Sequence, residues 1–187
     1  MSKNWVSKLS KKAADYKQNF VLKVCVVGDG GVGKTSIVMR YCDGVFRENY
    51  IMTIGSNFAV KNLPLPELET YVKLQLWDIA GQKHFSFVRP PFYRGASAMI
   101  YVYDITRRES FTNIPNWKTE VEREIAGKPF ILIANKTDLS DERVVSKKEG
   151  ENLAQQIGAN MYFESSAKDY QNIDESFLFL AEKILEK

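Results

Sequence analysis

The octapeptide Gly28-Asp29-Gly30-Gly31-Val32-Gly33-Lys34-Thr35 places glycines, one lysine and one hydroxyl at the spacing G-x-x-x-x-G-K-[ST]. Glycines let the backbone fold into a nest whose N–H groups face phosphate oxygens. The positive end of a following helix adds to that field. At this spacing Lys34 would reach the β- and γ-phosphates, and the Thr35 hydroxyl would ligate Mg²⁺. Gly28, Asp29, Gly30, Gly31, Val32, Gly33, Lys34, Thr35 and Ser36 are therefore assigned to nucleotide binding.

Four further segments carry chemistry that suits the rest of a bound nucleotide. In Asn135-Lys136-Thr137-Asp138, the Asp138 carboxylate can accept both the N1–H and the N2 amino protons of guanine. Adenine lacks that donor pair, and an unpaired buried carboxylate would penalise it. Ser166-Ala167-Lys168 can supply a backbone N–H to guanine O6, while the stems of Lys136 and Lys168 cover the two base faces. Asn135 is grouped with these base-site residues. Asp78-Ile79-Ala80-Gly81-Gln82 would set Asp78 near Mg²⁺ through water and the Gly81 N–H near the terminal phosphate. Gln82 would then orient an attacking water. Thr53, in Tyr50-Ile51-Met52-Thr53-Ile54-Gly55, offers Mg²⁺ a second hydroxyl, and Tyr50 shares its nucleotide-facing loop. The expected metal set is thus Thr35, Thr53 and Asp78, and the expected catalytic set Gln82, Lys34 and Gly81. The γ-phosphate would hold both loops and release them after hydrolysis, an order–disorder switch. No arginine in these motifs is placed to act in cis. Slow intrinsic turnover is expected, raised about 10³–10⁵-fold by a partner's arginine.

These residues need a scaffold that brings distant loops to one edge. Residues 21–27 are nearly all apolar and β-branched, which suits a strand buried on both faces. A helix is expected over about 34–41, strands at 71–77, 98–103, 130–134 and 161–163, and helices near 110–125, 147–157 and 173–186. Ser146 with Glu149 has capping-box spacing, and Asn172 with Glu175 is a looser variant. Residues 57–63 and 70–77 read as two strands joined by the turn Leu63-Pro64-Leu65-Pro66-Glu67, longer than such turns usually are. The expected fold is α/β, a phosphate-loop domain with a six-stranded, mainly parallel sheet, one antiparallel hairpin and helices on both faces. Loops at the carboxyl ends of parallel strands form the ligand crevice of such sheets, and four of the five motifs above follow an apolar run.

Composition bounds the alternatives. The 187 residues favour one domain, and 44% apolar with 12% aromatic content is enough for a packed core. No apolar run approaches the roughly 20 residues of a membrane span, and no secretory h-region follows Met1. Cys25 and Cys42 fit neither a disulfide framework nor a metal spacing, which points to a cytoplasmic setting. Residues 1–20 hold five lysines (3, 8, 11, 12, 17) and Asp15, a net +4, within a chain total of +3. The body therefore carries −1, and a nucleic-acid surface is not expected. Residues 1–19 read as a basic amphipathic extension and 20–187 as the nucleotide-binding domain. Trp5, Leu9, Ala13, Tyr16 and Phe20 fall near one face at helical spacing, either as a weak membrane-surface helix or as a solvated extension. Ser2 excludes myristoylation, and Leu185-Glu186-Lys187 offers no cysteine for prenylation.

With all five motifs present, the sequence from about Phe20 onward resembles the small GTPases of the Ras superfamily, nearest to the Rab branch. Ile54-Gly55-Ser56-Asn57-Phe58, Trp77-Asp78-Ile79-Ala80-Gly81-Gln82 and Phe92-Tyr93-Arg94-Gly95-Ala96 are similar to that branch's signatures. The resemblance implies a monomeric, Mg²⁺-dependent switch in membrane or vesicle traffic that binds GTP and GDP and hydrolyses GTP. It also implies an exchange factor, an activating protein and effectors, the last reading an aromatic patch of Phe58, Trp77 and Phe92, with Phe46 edge-on to the guanine. Gly30 departs from the serine commoner in that branch and leaves space beside the γ-phosphate for Gln82 or a partner's arginine. Lys83-His84 stands where Glu-Arg is usual; His84 reads as an exposed switch residue, a catalytic role being the alternative. Pro90-Pro91 should restrict the second switch's helix. A GTP-binding scaffold with negligible turnover is the alternative function, opposed by intact Thr53, Gly81 and Gln82. A nucleotide kinase would want an arginine-rich lid and a second substrate pocket, and neither is evident.

Overall fold

Gln18–Val27 forms the long strand β1 at the centre of a computed structural model that describes residues 13–47 and 52–186. Tyr50 and residues 1–12 lie outside the described residues. In chain order there follow α1 (Lys34–Asp43), β2 (Ser56–Leu65), β3 (Thr70–Ile79), α2 (Pro90–Tyr93), β4 (Ala98–Asp104), α3 (Arg108–Thr112) and α4 (Ile114–Glu122). The chain continues with β5 (Phe130–Asn135), α5 (Lys147–Ile157), β6 (Met161–Glu164) and α6 (Ile173–Leu185). The strands order as β2-β3-β1-β4-β5-β6 in one sheet. Only the β2–β3 pair is antiparallel.

Strand periodicity divides the core. Val24 and Val26 of β1, Ile100 and Val102 of β4, and Ile131 and Ile133 of β5 face the layer of α1 and α6. Their neighbours Cys25, Val27, Tyr101, Tyr103, Leu132 and Ala134 face the layer of α4 and α5. Burial on both faces explains why these strands read as continuous apolar runs rather than as alternation. Tyr41 of α1 stacks on Phe177 of α6 at 4.0 Å between ring centroids, which pins the first helix to the last. No helix among the described residues is long and apolar enough to cross a membrane.

Several boundaries differ from expectation, each for a local reason. Pro64 lies inside β2, opposite Tyr71, rather than in a turn. Edge strands tolerate proline because one side of their ladder has no partner strand, so the connection shrinks to the 3-10 turn Pro66–Leu68 and Glu69. The helix expected near 110–125 is two helices meeting at Asn113, since Pro115 sits in the first turn of α4 and has no N–H to continue α3. Asn172 makes no side-chain cap; its φ of 53° is left-handed and its Nδ2 donates to the Glu164 carbonyl at 2.7 Å. The backbone N–H groups of Lys17 and Gln18 both donate to the Glu69 carbonyl, so strand geometry starts there. Tyr16 and Phe20 consequently do not share a helical face, because the 3-10 turn Ala13–Asp15 ends before them.

Ser146 behaves as expected: its Oγ accepts from the Glu149 N–H at 3.3 Å, and Glu149 Oε2 accepts from the Ser146 N–H at 2.8 Å. Ser146→Ala should lower stability by about 1 kcal/mol. The check is a urea midpoint that falls with an unchanged slope.

Candidate active site

The four strands that precede a motif, β1, β3, β5 and β6, run in the same direction within one sheet, so their carboxyl ends meet at one edge. The loop after β1 leads directly into α1, whose N-cap Gly33 has φ 97°, a left-handed value that disfavours side chains. A Cβ at Gly33 would also run into Asn135 Nδ2. No side chain caps this helix, so its first N–H groups face the loop.

Lys34 folds back over the loop, donating from Nζ to the carbonyls of Gly28 at 2.7 Å and Asp29 at 2.8 Å. Burial pushes its amine down to about 8; Asp78 and Asp29 oppose that shift, and Arg89 and Arg107 add to it. Asp29 contributes backbone to the loop but turns its carboxylate away, where Oδ1 accepts from Asn113 Nδ2 at 2.6 Å and Trp117 Nε1 at 2.7 Å.

Thr35, Thr53 and Asp78 come together from α1, the loop before β2, and β3. Thr35 Oγ1 donates to Asp78 Oδ2 at 2.5 Å, Thr53 Oγ1 donates to the same oxygen at 3.3 Å, and the two hydroxyls stand 3.0 Å apart. Asp78 is fully buried, and burial raises its carboxyl above the usual range, against the lowering effects of Lys34 and the two hydroxyls. Its Oδ1 is buried without a hydrogen-bond partner among the described residues. An orphaned carboxylate oxygen beside two hydroxyls is a hard-oxygen donor set that fits Mg²⁺.

Gly81 packs against the phosphate loop so closely that a Cβ there would overlap the backbone of Gly28, Asp29 and Gly30. Gln82 lays its carboxamide in the space beside Gly30, where a Cβ would come within 3.1 Å of Nε2. The candidate second switch runs as a 3-10 helix, Lys83–Val88, and then the four-residue α2 with both prolines at its start. His84 is exposed and lies on Phe85.

The other end of the site is a cavity of about 330 Å³ lined by Ser36, Phe46, Lys136, Asp138, Ala167 and Lys168, among others. Asn135 also lines it, yet its amide is spent on protein: Nδ2 donates to the Val32 carbonyl at 2.8 Å, and Oδ1 accepts from Ser165 Oγ at 3.2 Å. It ties the phosphate loop to the loop after β6. Lys136 adopts a left-handed φ of 70° and anchors its amine to Asp104 Oδ2 at 2.6 Å, which leaves its stem along the cavity. Asp138 Oδ1 accepts from Ser166 Oγ at 2.7 Å, while Oδ2 has no hydrogen-bond partner among the described residues.

Three contacts were not anticipated from the sequence. Ser166-Ala167-Lys168 was expected to offer a backbone N–H, and the Ser166 hydroxyl in addition donates to Asp138. Two arginines also touch the loops of the site, through backbone carbonyls. Arg107 Nη2 donates to the Gly30 carbonyl at 2.7 Å, and Arg89 Nη1 to the Gln82 carbonyl at 3.0 Å. Neither belongs to a motif with nucleotide spacing, so only the folded chain reveals them. Away from the cavity, Phe58 meets Trp77 edge-on at 5.2 Å, and Trp77 meets Phe92 at 6.0 Å.

The family model described as "Ras family" matches residues 23–186. Over 168 residues the chain is 40% identical to the Ras-related protein Rab-13 of Bos taurus, covering 89% of this chain and 81% of that protein. It is 37% identical over 178 residues to the Ras-related protein Rab-3A of Homo sapiens, covering 95% and 80%. Identity to the Ras-related protein Rab-3C of Bos taurus is also 37%, over 95% of this chain and 77% of that one. With a phosphate loop, a candidate base cavity and two candidate switch segments gathered at one sheet edge, the chain belongs to the Ras family and is a Rab-like small GTPase, an enzyme that hydrolyses GTP.

Proposed function

We propose that this chain is a Mg²⁺-dependent switch in vesicle traffic whose two loops read the γ-phosphate through Thr53 and Gly81. The observation that carries the reading is the meeting of Thr35, Thr53 and Asp78 within hydrogen-bond distance, with Gln82 seated beside Gly30. The loop N–H groups and Lys34 bind the phosphate chain, and Asp138, aimed by Ser166, reads the guanine edge between the stems of Lys136 and Lys168. Phe46 closes the base cavity. Thr35, Thr53 and, through water, Asp78 would hold Mg²⁺, which would supply charge neutralisation at the phosphate oxygens. Gln82 orients water for in-line attack on the γ-phosphorus, the bond to the bridging oxygen breaks, and GDP carries away the negative charge. Loss of the γ-phosphate then removes what Thr53 and Gly81 hold, and the switch loops relax.

The partially exposed patch of Phe58, Trp77 and Phe92 serves effectors, and exchange and activating proteins act on the switch loops. The lysines of the leader draw the protein to an anionic membrane surface. A scaffold without turnover would have no use for Gly81 and Gln82 in these positions. In single-turnover assays, Gln82→Leu should slow phosphate release by at least about tenfold with GTP affinity unchanged. Unchanged release would remove Gln82 from the mechanism.

A further inference from the structure

Arg89 is a charged residue 4% exposed in a segment otherwise made of short helical turns. Burying a guanidinium is costly unless it is paired and hydrogen-bonded. Its Nε and Nη2 donate to the two oxygens of Glu120 at 2.8 and 2.5 Å, a two-point grip that fixes the plane of the fork. Tyr93 Oη donates to the same carboxylate at 2.7 Å. The guanidinium carbon lies 4.2 Å from the ring centroid of Trp117, one helical turn before Glu120 on α4. The remaining arm, Nη1, is aimed at the second switch, 3.0 Å from the Gln82 carbonyl and 3.4 Å from that of Ala80.

The contacts continue beyond Arg89. Trp117, under the guanidinium, donates its indole N–H to Asp29 of the phosphate loop at 2.7 Å. The chain of contacts from Gln82 through Arg89 and Trp117 to Asp29 therefore ties both sides of the hydrolytic site to one rigid helix.

We propose that Arg89 is a positioning residue for GTP hydrolysis, a built-in guanidinium that fixes the Gln82 peptide so that its carboxamide points toward the phosphate loop. The inference rests on the reading of Gln82 as the residue that orients water. Arg89 does not touch the nucleotide. It holds the carbonyl that follows the Gln82 side chain, where φ is −74° and ψ 142°, and so narrows the directions the carboxamide can take. Lysine keeps the charge but cannot grip a carboxylate at two points and reach a carbonyl with a third arm.

The experiment compares the unaltered chain with Arg89→Lys, Gln82→Leu and the double variant, measuring single-turnover GTP hydrolysis and the dissociation rate of GDP. Arg89→Lys should slow hydrolysis about tenfold in the wild-type background but less than about twofold in the Gln82→Leu background, because the two act as a unit. GDP dissociation should change by less than about twofold in each. Equal losses in both backgrounds would overturn the proposal and leave Arg89 a structural residue. Unchanged hydrolysis in Arg89→Lys would overturn it as well. Normal hydrolysis by Gln82→Leu alone would overturn the reading beneath it, in a separate arm of the measurement. Should Arg89→Lys fail to fold, Glu120→Gln loosens the same grip at constant size. A smaller loss in the same direction supports the proposal, and no loss overturns it.

Discussion

Asp138→Asn is expected to weaken GTP and GDP binding by about 10³–10⁵-fold and to let xanthosine nucleotides bind in their place. The carboxylate is held from one side only: Ser166 Oγ donates to Oδ1, and Oδ2 has no partner among the described residues. In the proposed complex the guanine N1–H and amino group satisfy that acceptor. Asparagine would turn an N–H₂ donor toward a guanine donor, a direct clash of like polarity, whereas xanthine presents an oxygen at that edge. Competition between labelled GDP and XDP measures the exchange. Intact guanine affinity would show that Asp138 does not read the base. Ser166→Ala should give a weaker form of the same loss, about tenfold, because the carboxylate keeps its charge and loses only its aim.

Lys34→Met is expected to lower affinity for GTP and GDP by roughly 10²–10⁴-fold, since a buried cation and two hydrogen bonds to the loop disappear together. The same residue makes the nucleotide- and metal-free protein pH-sensitive in a defined direction. Its amine titrates near 8 in the fold and near 10.5 when unfolded. Between those values the unfolded chain binds the extra proton, so stability rises with pH across that window, and below it the full penalty of a buried charge is present. Urea midpoints of nucleotide-free protein should therefore climb between about pH 8 and 10. In Lys34→Met that climb should flatten.

How much of this was legible in the sequence follows from how local each feature is. The phosphate loop, the capping box at Ser146 and the run that became β4 are written in consecutive residues, and the folded chain places them as read. Every residue of β4 is buried, which is why its run carries no alternation to misread. Features that depend on a neighbour in space were harder. Pro64 looks like a turn until the strand order makes β2 an edge. Asn172 has a capping residue's chemistry, but the Glu164 carbonyl captures its amide first. Asp29 and Asn135 belong to nucleotide motifs, yet their side chains bond to protein, Asp29 to Asn113 and Trp117 at the start of α4 and Asn135 to the Val32 carbonyl. Arg89 gave no signal at all, because its partners Glu120 and Trp117 lie about thirty residues away on α4.

The most direct test is phosphate release from protein loaded with GTP, followed over a single turnover with Mg²⁺ and again with Mg²⁺ chelated. One phosphate per protein should be released slowly, only when Mg²⁺ is present, and slower still in Gln82→Leu. Release at the same rate without Mg²⁺, or stable GTP binding with no release at all, would contradict the proposed mechanism.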